Sequence, residues 1–271
     1  MTPVDPATVA ARANTENFPV ASLLFPRALR PHLRAVYGFA RLVDILGDEW
    51  EGDRLAVLDE LEHELDACYS ATPTWPVMRN LQPTISEFDL PADPFRRLIE
   101  ANRMDQRIAE YATWNDVKRY CAHSADPVGR LVLGLLRRAD EPRLVAWSDD
   151  VCTGLQLTNF LQDVPRDLRL GRVYLPADER RRFEVDTLDR PSDELRRLME
   201  SEATRARELL ASGVPLGDAL GGRVGRAVAL FARGGLAALD ELAQASWDVF
   251  TRRPAPSRLR LAREAVAVLV R

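Results

Sequence analysis

An all-α fold in a single domain spanning residues 1–271 is what this sequence predicts, on three observations. Apolar residues recur every three or four positions almost throughout, as at Leu55, Leu58, Leu61 and Leu65 or at Leu195 and Leu198. Sustained period-two alternation is hard to find. The 271 residues are 46% hydrophobic, enough for a substantial core. The first helix is expected over about 30–47, with Pro31 in a first turn where its missing N–H costs nothing. A leucine stripe predicts the next over about 54–70, and the stretch 71–84 (ATPTWPVMRNLQPT) is expected as a long loop. Periodicity then places helices at about 93–113, 115–122, 127–139 and 141–164, the last ending near Asp163 because the Pro165 ring clashes with the Leu161 carbonyl. After a second long loop at 176–192, Ser192 caps a helix over about 193–211, with Asp193 and Glu194 in its first turn and Gly213 beyond its end. Helices at about 217–232, 234–252 and 257–270 complete the chain.

Composition excludes several classes. A net charge of −4 with 29% charged residues is too apolar a balance for intrinsic disorder, and 14 glycines are too few for a fibrous repeat. The 41 acidic residues outnumber 37 basic ones, which argues against a nucleic-acid surface. All basic residues but Lys118 are arginine, a bias attributed to codon usage. Cys68, Cys121 and Cys152 show no C-x-x-C spacing, so neither a disulfide framework nor a zinc site is indicated and a reducing cytoplasm is the simplest setting. No run approaches the roughly 18–20 apolar residues of a membrane span, and MTPVDPATVAARA lacks the order of a signal peptide.

Two acidic constellations stand out. Asp44 and Asp48 lie four residues apart on a helix of otherwise apolar character, within about 40° of each other around its axis. Burying such a pair is costly unless a cation balances it, and a hard divalent ion such as Mg²⁺ takes oxygen ligands of this kind. A salt bridge to a neighbour such as Arg41 is the simpler alternative. Asn159, Asp163 and Asp167 repeat the pattern at i, i+4 and i+8, with Asp167 expected in a turn beyond Pro165. Two such stripes facing each other form a polynuclear metal site.

Five ordered segments carry a family likeness: ENFPVASLLFP at 16–26, YGFARLVDILGDE at 37–49, LIEANRMDQ at 98–106, YCAHSADPVGRLVL at 120–133 and LQLTNFLQDVPRDLRLGRVYLP at 155–176. Together the sequence resembles the squalene/phytoene synthase family, most of all its bacterial hydroxysqualene synthase branch. The resemblance implies an isoprenoid synthase helical bundle around a central cavity. It implies that Asp44 and Asp48, with Asn159, Asp163 and Asp167, hold two or three Mg²⁺ ions, with Tyr37 and Arg41 beside the substrate diphosphate. Tyr120 and Tyr174 match family tyrosines near the reacting carbons, and Phe18 and Phe160 are candidate aromatic walls for a carbocation. Where many relatives carry serines near the diphosphate, this chain has Thr15 and Asn17, with Ser22 a further candidate. The first acidic motif of the family reads Asp-Asp-x-x-Asp, and here Ile45 takes its second position.

The activity so implied is conversion of presqualene diphosphate to hydroxysqualene in squalene and hopanoid synthesis, without NADPH. An upstream presqualene diphosphate synthase is the implied hand-over partner. The segment GDALGGRVG at 217–225 reads as a turn and no dinucleotide fingerprint follows a strand. A condensing synthase joining two prenyl diphosphates is the alternative, and a non-catalytic binding or assembly module with a decayed site is the alternative of another class. The six arginines of residues 252–271 suit either a solvated terminal helix or peripheral contact with the inner face of an anionic membrane.

Overall fold

In a computed structural model, residues 25–257 are described, and all their regular structure is helical apart from one isolated bridge between Glu110 and Val173. A 3-10 turn at Arg27–Leu29 leads into α1 (Arg30–Asp48), α2 (Arg54–Ser70), α3 (Pro76–Phe88) and α4 (Ala92–Arg107). Then follow α5 (Trp114–Ser124), α6 (Asp126–Leu135), the long α7 (Pro142–Arg169), α8 (Ala177–Arg182), α9 (Asp193–Ser212), α10 (Val214–Leu220) and α11 (Gly222–Gln244). The chain divides into two compact units: Met1–Arg107 with Ala122–Ala146, and Ile108–Cys121 with Trp147–Arg271.

In the first unit α1 packs against α2, α3, α4 and α6. Its apolar face, Leu33, Val36, Phe39, Leu42, Val43 and Leu46, is buried, and Phe39 meets Phe95 of α4 edge to face at 5.1 Å. Helix α2 starts where the Asp53 carboxylate accepts from the Ala56 N–H at 3.0 Å. The expected loop over 71–84 is instead mostly α3: Pro76 occupies its first turn and Pro83 sits within it, while Val77, Met78, Leu81 and Ile85 are buried. Proline punctuation was misleading there because a buried apolar stripe outweighs one lost hydrogen bond.

In the second unit α11 packs on α9 and α10, and α8 rests on α9. Ser192 caps α9 as expected, its hydroxyl accepting from the Leu195 N–H at 3.0 Å. Gly213 has φ −83°, so it is not a left-handed cap; a β-carbon there would come within 2.2 Å of the Val151 side chain on α7, which makes close approach its reason. Several boundaries differ from expectation, among them the end of α6 at Leu135 rather than near 139 and the end of α11 at Gln244 rather than near 252. Helix α4 stops at Arg107, six residues early, and α7 continues through Pro165 to Arg169. The break between the last two described helices falls at Gly221, with φ 63°, rather than near residue 233. The short α8 occupies part of the expected loop at 176–192.

Candidate functional site

Helix α1 places Tyr37, Arg41, Asp44 and Asp48 on one stripe, since steps of four, three and four residues at 100° each keep them within roughly 60° of arc. Tyr37 and Arg41 are half-buried, Asp44 is exposed and Asp48 half-buried. The Arg41 guanidinium lies 3.7 Å from the Asp44 carboxylate and 3.7 Å from that of Glu49. It therefore bridges the two acids while its own stem is largely covered, a fork suited to phosphate as well as carboxylate oxygens. Arg54 donates to the Asp48 carbonyl at 2.9 Å and so closes the end of the helix.

Ile45 points away from this stripe. It is buried with the core residues Leu42, Val43 and Leu46, whereas the Asp44 side chain is 54% exposed. The family's second motif position thus falls on the packing face of α1, and an isoleucine there fills core instead of removing a ligand. Gly47 explains the tight seat of the helix end: a β-carbon there would lie 1.9 Å from the Asn102 Oδ1 of α4, and Gln106 donates to the Gly47 carbonyl at 3.0 Å.

The second stripe lies on α7. Because the helix runs on past Pro165, Asp167 remains helical and the series Asn159, Asp163, Asp167 stays on one face; the expectation that Asp167 lies in a following turn is corrected. Asn159 is exposed, and Asp163 and Asp167 are half-buried. Asp163 is gripped by Arg253, whose Nε and Nη2 donate to the two carboxylate oxygens at 2.6 and 2.9 Å. Next to it, Gln162 donates to the Pro254 carbonyl at 2.5 Å, and Pro254 is buried. The segment 252–257 is therefore laid along α7. It is delivered by a turn at Asp248, whose carboxylate accepts from the Phe250 N–H and from the Thr251 N–H and hydroxyl, contacts that hold its pKa below the ordinary value.

Oxygen donors in ones and twos on each stripe match what Mg²⁺ takes when phosphate oxygens and water complete its shell. Among the described residues no three His, Cys, Asp or Glu side chains converge tightly enough to cage an ion without such help.

Below the α7 stripe lies an aromatic cluster. Phe160 and Tyr174 stack at 4.1 Å and 9°, Tyr120 abuts Tyr174 at 5.1 Å, and the hydroxyls of Tyr120 and Tyr174 are 3.4 Å apart. Tyr111, which sequence reasoning did not single out, lies near-parallel to Tyr174 at 5.9 Å and 20°. A narrow cleft beside the cluster is lined by Phe160, Tyr174, Asp167, Arg172, Leu168 and Leu188, so one acid of the stripe and two of the expected aromatics share a wall. Arg253 and Tyr111 escaped notice because nothing in their own neighbourhoods marks them: one lies 90 residues from its partner, the other in a segment read as helix.

Thr15, Asn17, Phe18 and Ser22 lie outside the described residues, as does the expected terminal helix beyond residue 257. Of the arginine-rich tail, Arg253 is committed to Asp163. No helix of the described residues is long and apolar enough to cross a membrane.

Comparison with known proteins agrees with the all-helical fold. Residues 11–260 match the squalene/phytoene synthase family model. A hydroxysqualene synthase of Rhodopseudomonas palustris is 36% identical over 209 residues, covering 74% of this chain and 70% of its own. A phytoene synthase of Arthrospira platensis is 32% identical over 260 residues, covering 88% and 83% respectively. The crystal structure of squalene synthase HpnC from Alicyclobacillus acidocaldarius superposes with a TM-score of 0.83 at 44% identity, covering 89% of this chain and 94% of that one. With these likenesses, and with Ile45 accounted for by packing, the reading as a decayed non-catalytic module falls. The chain belongs to the squalene/phytoene synthase family and is an enzyme acting on isoprenoid diphosphates.

Proposed function

We propose that the protein converts presqualene diphosphate to hydroxysqualene in a Mg²⁺-dependent reaction. The observation that carries this reading is the 44% identity to a squalene synthase HpnC across nearly its whole length, joined to two acidic stripes of the right chemistry on α1 and α7. Asp44 and Asp48 on α1, and Asn159, Asp163 and Asp167 on α7, are the residues that would hold the metal. When bound, Mg²⁺ neutralises the leaving diphosphate and lowers the barrier to breaking its C–O bond. The electron pair of that bond leaves with the diphosphate, where Arg41 adds a forked contact and Tyr37 lies on the same stripe. The carbocation rearranges beside Tyr120, Tyr174 and Phe160, whose ring faces favour positive charge by about 2 kcal/mol when desolvated. A water oxygen then bonds to the cation and gives up a proton, so no reductant is consumed.

The chain is taken to work as one domain in the cytoplasm. An enzyme that makes presqualene diphosphate supplies its substrate, and the arginine-rich tail favours an anionic membrane surface where a greasy product departs. A condensing synthase joining two prenyl diphosphates is the second reading, favoured by the phytoene synthase likeness over 88% of the chain.

Mass spectrometry of products from purified protein, Mg²⁺ and presqualene diphosphate without NADPH tests the proposal. Hydroxysqualene from the wild type and a loss of at least about 100-fold in Asp163→Ala is the expected result, of the order of removing a charge-stabilising group from an active site. Consumption of farnesyl diphosphate with presqualene diphosphate left intact selects the condensing synthase.

A further inference from the structure

The segment between α4 and α5 has no regular structure, yet it is fastened residue by residue to the chain that follows α7. The Ala109 carbonyl accepts from the Val173 N–H at 2.8 Å, the Tyr111 carbonyl from the Ala177 N–H at 2.9 Å and the Ala112 carbonyl from the Asp178 N–H at 3.0 Å. Glu110 bridges to Val173 in parallel register and its carboxylate pairs with Arg180. At the end of the segment, the Thr113 N–H and hydroxyl both donate to the Asp116 carboxylate, at 3.0 and 2.7 Å, and this starts α5, the helix that carries Tyr120. Tyr174 lies on one side of this seam and Tyr120 on the helix it launches, with Tyr111 at the junction of the two.

From this arrangement we infer that Tyr111 is a positioning residue for the aromatic wall of the site, acting through Tyr174. The inference rests on the proposed carbocation chemistry for its functional consequence. The Tyr174 ring is held among neighbours, with Phe160 stacked on it at 4.1 Å and 9° and Tyr111 near-parallel to it at 5.9 Å and 20°, while Tyr120 stands 5.5 Å from Tyr111 and 5.1 Å from Tyr174. All four rings are at most 8% exposed. Without the ring of Tyr111, Tyr174 is free to turn toward the vacated space, and the 3.4 Å spacing of the Tyr120 and Tyr174 hydroxyls is lost with it. The backbone seam brings the clamp into place, since each of its hydrogen bonds joins the segment of Tyr111 to the segment of Tyr174.

The test uses the full chain with Tyr111→Phe, Tyr111→Leu, Tyr174→Leu and the double variant Tyr111→Leu/Tyr174→Leu, assayed with Mg²⁺ and presqualene diphosphate. Expected is a ratio of water-captured alcohol to other C30 products that stays within about twofold for Tyr111→Phe and shifts about tenfold for Tyr111→Leu, a tenfold change being about 1.4 kcal/mol, with KM little altered. In the Tyr174→Leu background the same substitution has no further effect. An unchanged ratio in Tyr111→Leu, or effects that simply add, overturns the inference. If Tyr111→Leu does not fold, Tyr111→Met takes its place, where a shift of the ratio supports the inference and a wild-type ratio overturns it. Near-UV circular dichroism separates this from the reaction itself. If the wild type leaves presqualene diphosphate untouched, the proposed function falls, and a tyrosine band lost in Tyr111→Leu but kept in Tyr111→Phe still supports the clamp, while a band unchanged in Tyr111→Leu overturns it.

Discussion

Ile45 shows how one residue reads differently in a line of sequence and in a helix. Set in the motif it looks like a missing carboxylate; set on α1 it is 7% exposed among core leucines, about 100° around the helix from Asp44 and about 60° from Asp48. Restoring the family's aspartate is therefore expected to destabilise rather than to help, because an unpaired carboxylate in the core costs several kcal/mol. Thermal unfolding of Ile45→Asp should show a marked fall in Tm, whereas Ile45→Val should cost only about 0.5–1.5 kcal/mol. Arg253 is the opposite case, an unremarkable tail residue that grips Asp163 with both nitrogens of its fork. As its side chain is half exposed, Arg253→Gln is expected to change stability by less than about 1 kcal/mol in urea denaturation. A larger loss would mean that the whole 252–257 segment detaches from α7 with it.

At the scale of elements, what seats the acid stripe of α1 is the contact of Gly47 with α4. Asn102 fills the space a β-carbon needs, and Gln106 reaches the Gly47 carbonyl, so the final turn of α1 is locked just before Asp48. Gly47→Ala gains helix propensity yet forces Asn102 aside, and the clash is expected to dominate by about 1–3 kcal/mol of lost stability, read from the denaturation midpoint. The helices α1, α2 and α9, each with apolar residues at helical spacing and a proline or capping residue at its start, were legible within a residue or so. Among those that the sequence misplaced were α3, where prolines masked a buried stripe, and the end of α4, where backbone pairing with residues 173–178 competes with further helix.

In the second unit, one buried titratable group that the proposed reaction does not use is Glu202 of α9. It is 3% exposed and pushed up to about 7 chiefly by burial, opposed by Arg205, whose guanidinium donates to both its oxygens at 2.9 Å and lies over the Trp114 ring at 4.6 Å. Since the folded chain holds this proton more tightly than the unfolded one, the unfolded state binds fewer protons between about pH 4.5 and 7, and stability falls as pH rises through that window. Glu202→Gln is expected to flatten that slope, as measured by denaturation midpoints from pH 5 to 8; an unchanged slope would show that Arg205 keeps Glu202 ionised throughout.

Helical class, the spacing of the acids and the motif tyrosines could be read along the chain, because helix periodicity and i, i+4 placement are local properties of neighbouring residues. That Ile45 belongs to the core, that Asp167 stays helical beyond Pro165, that Arg253 closes on Asp163 and that Tyr111 braces Tyr174 could not be read in this way. Each depends on partners tens of residues away, and such contacts form only when packing of whole elements outweighs the local preferences of the residues involved.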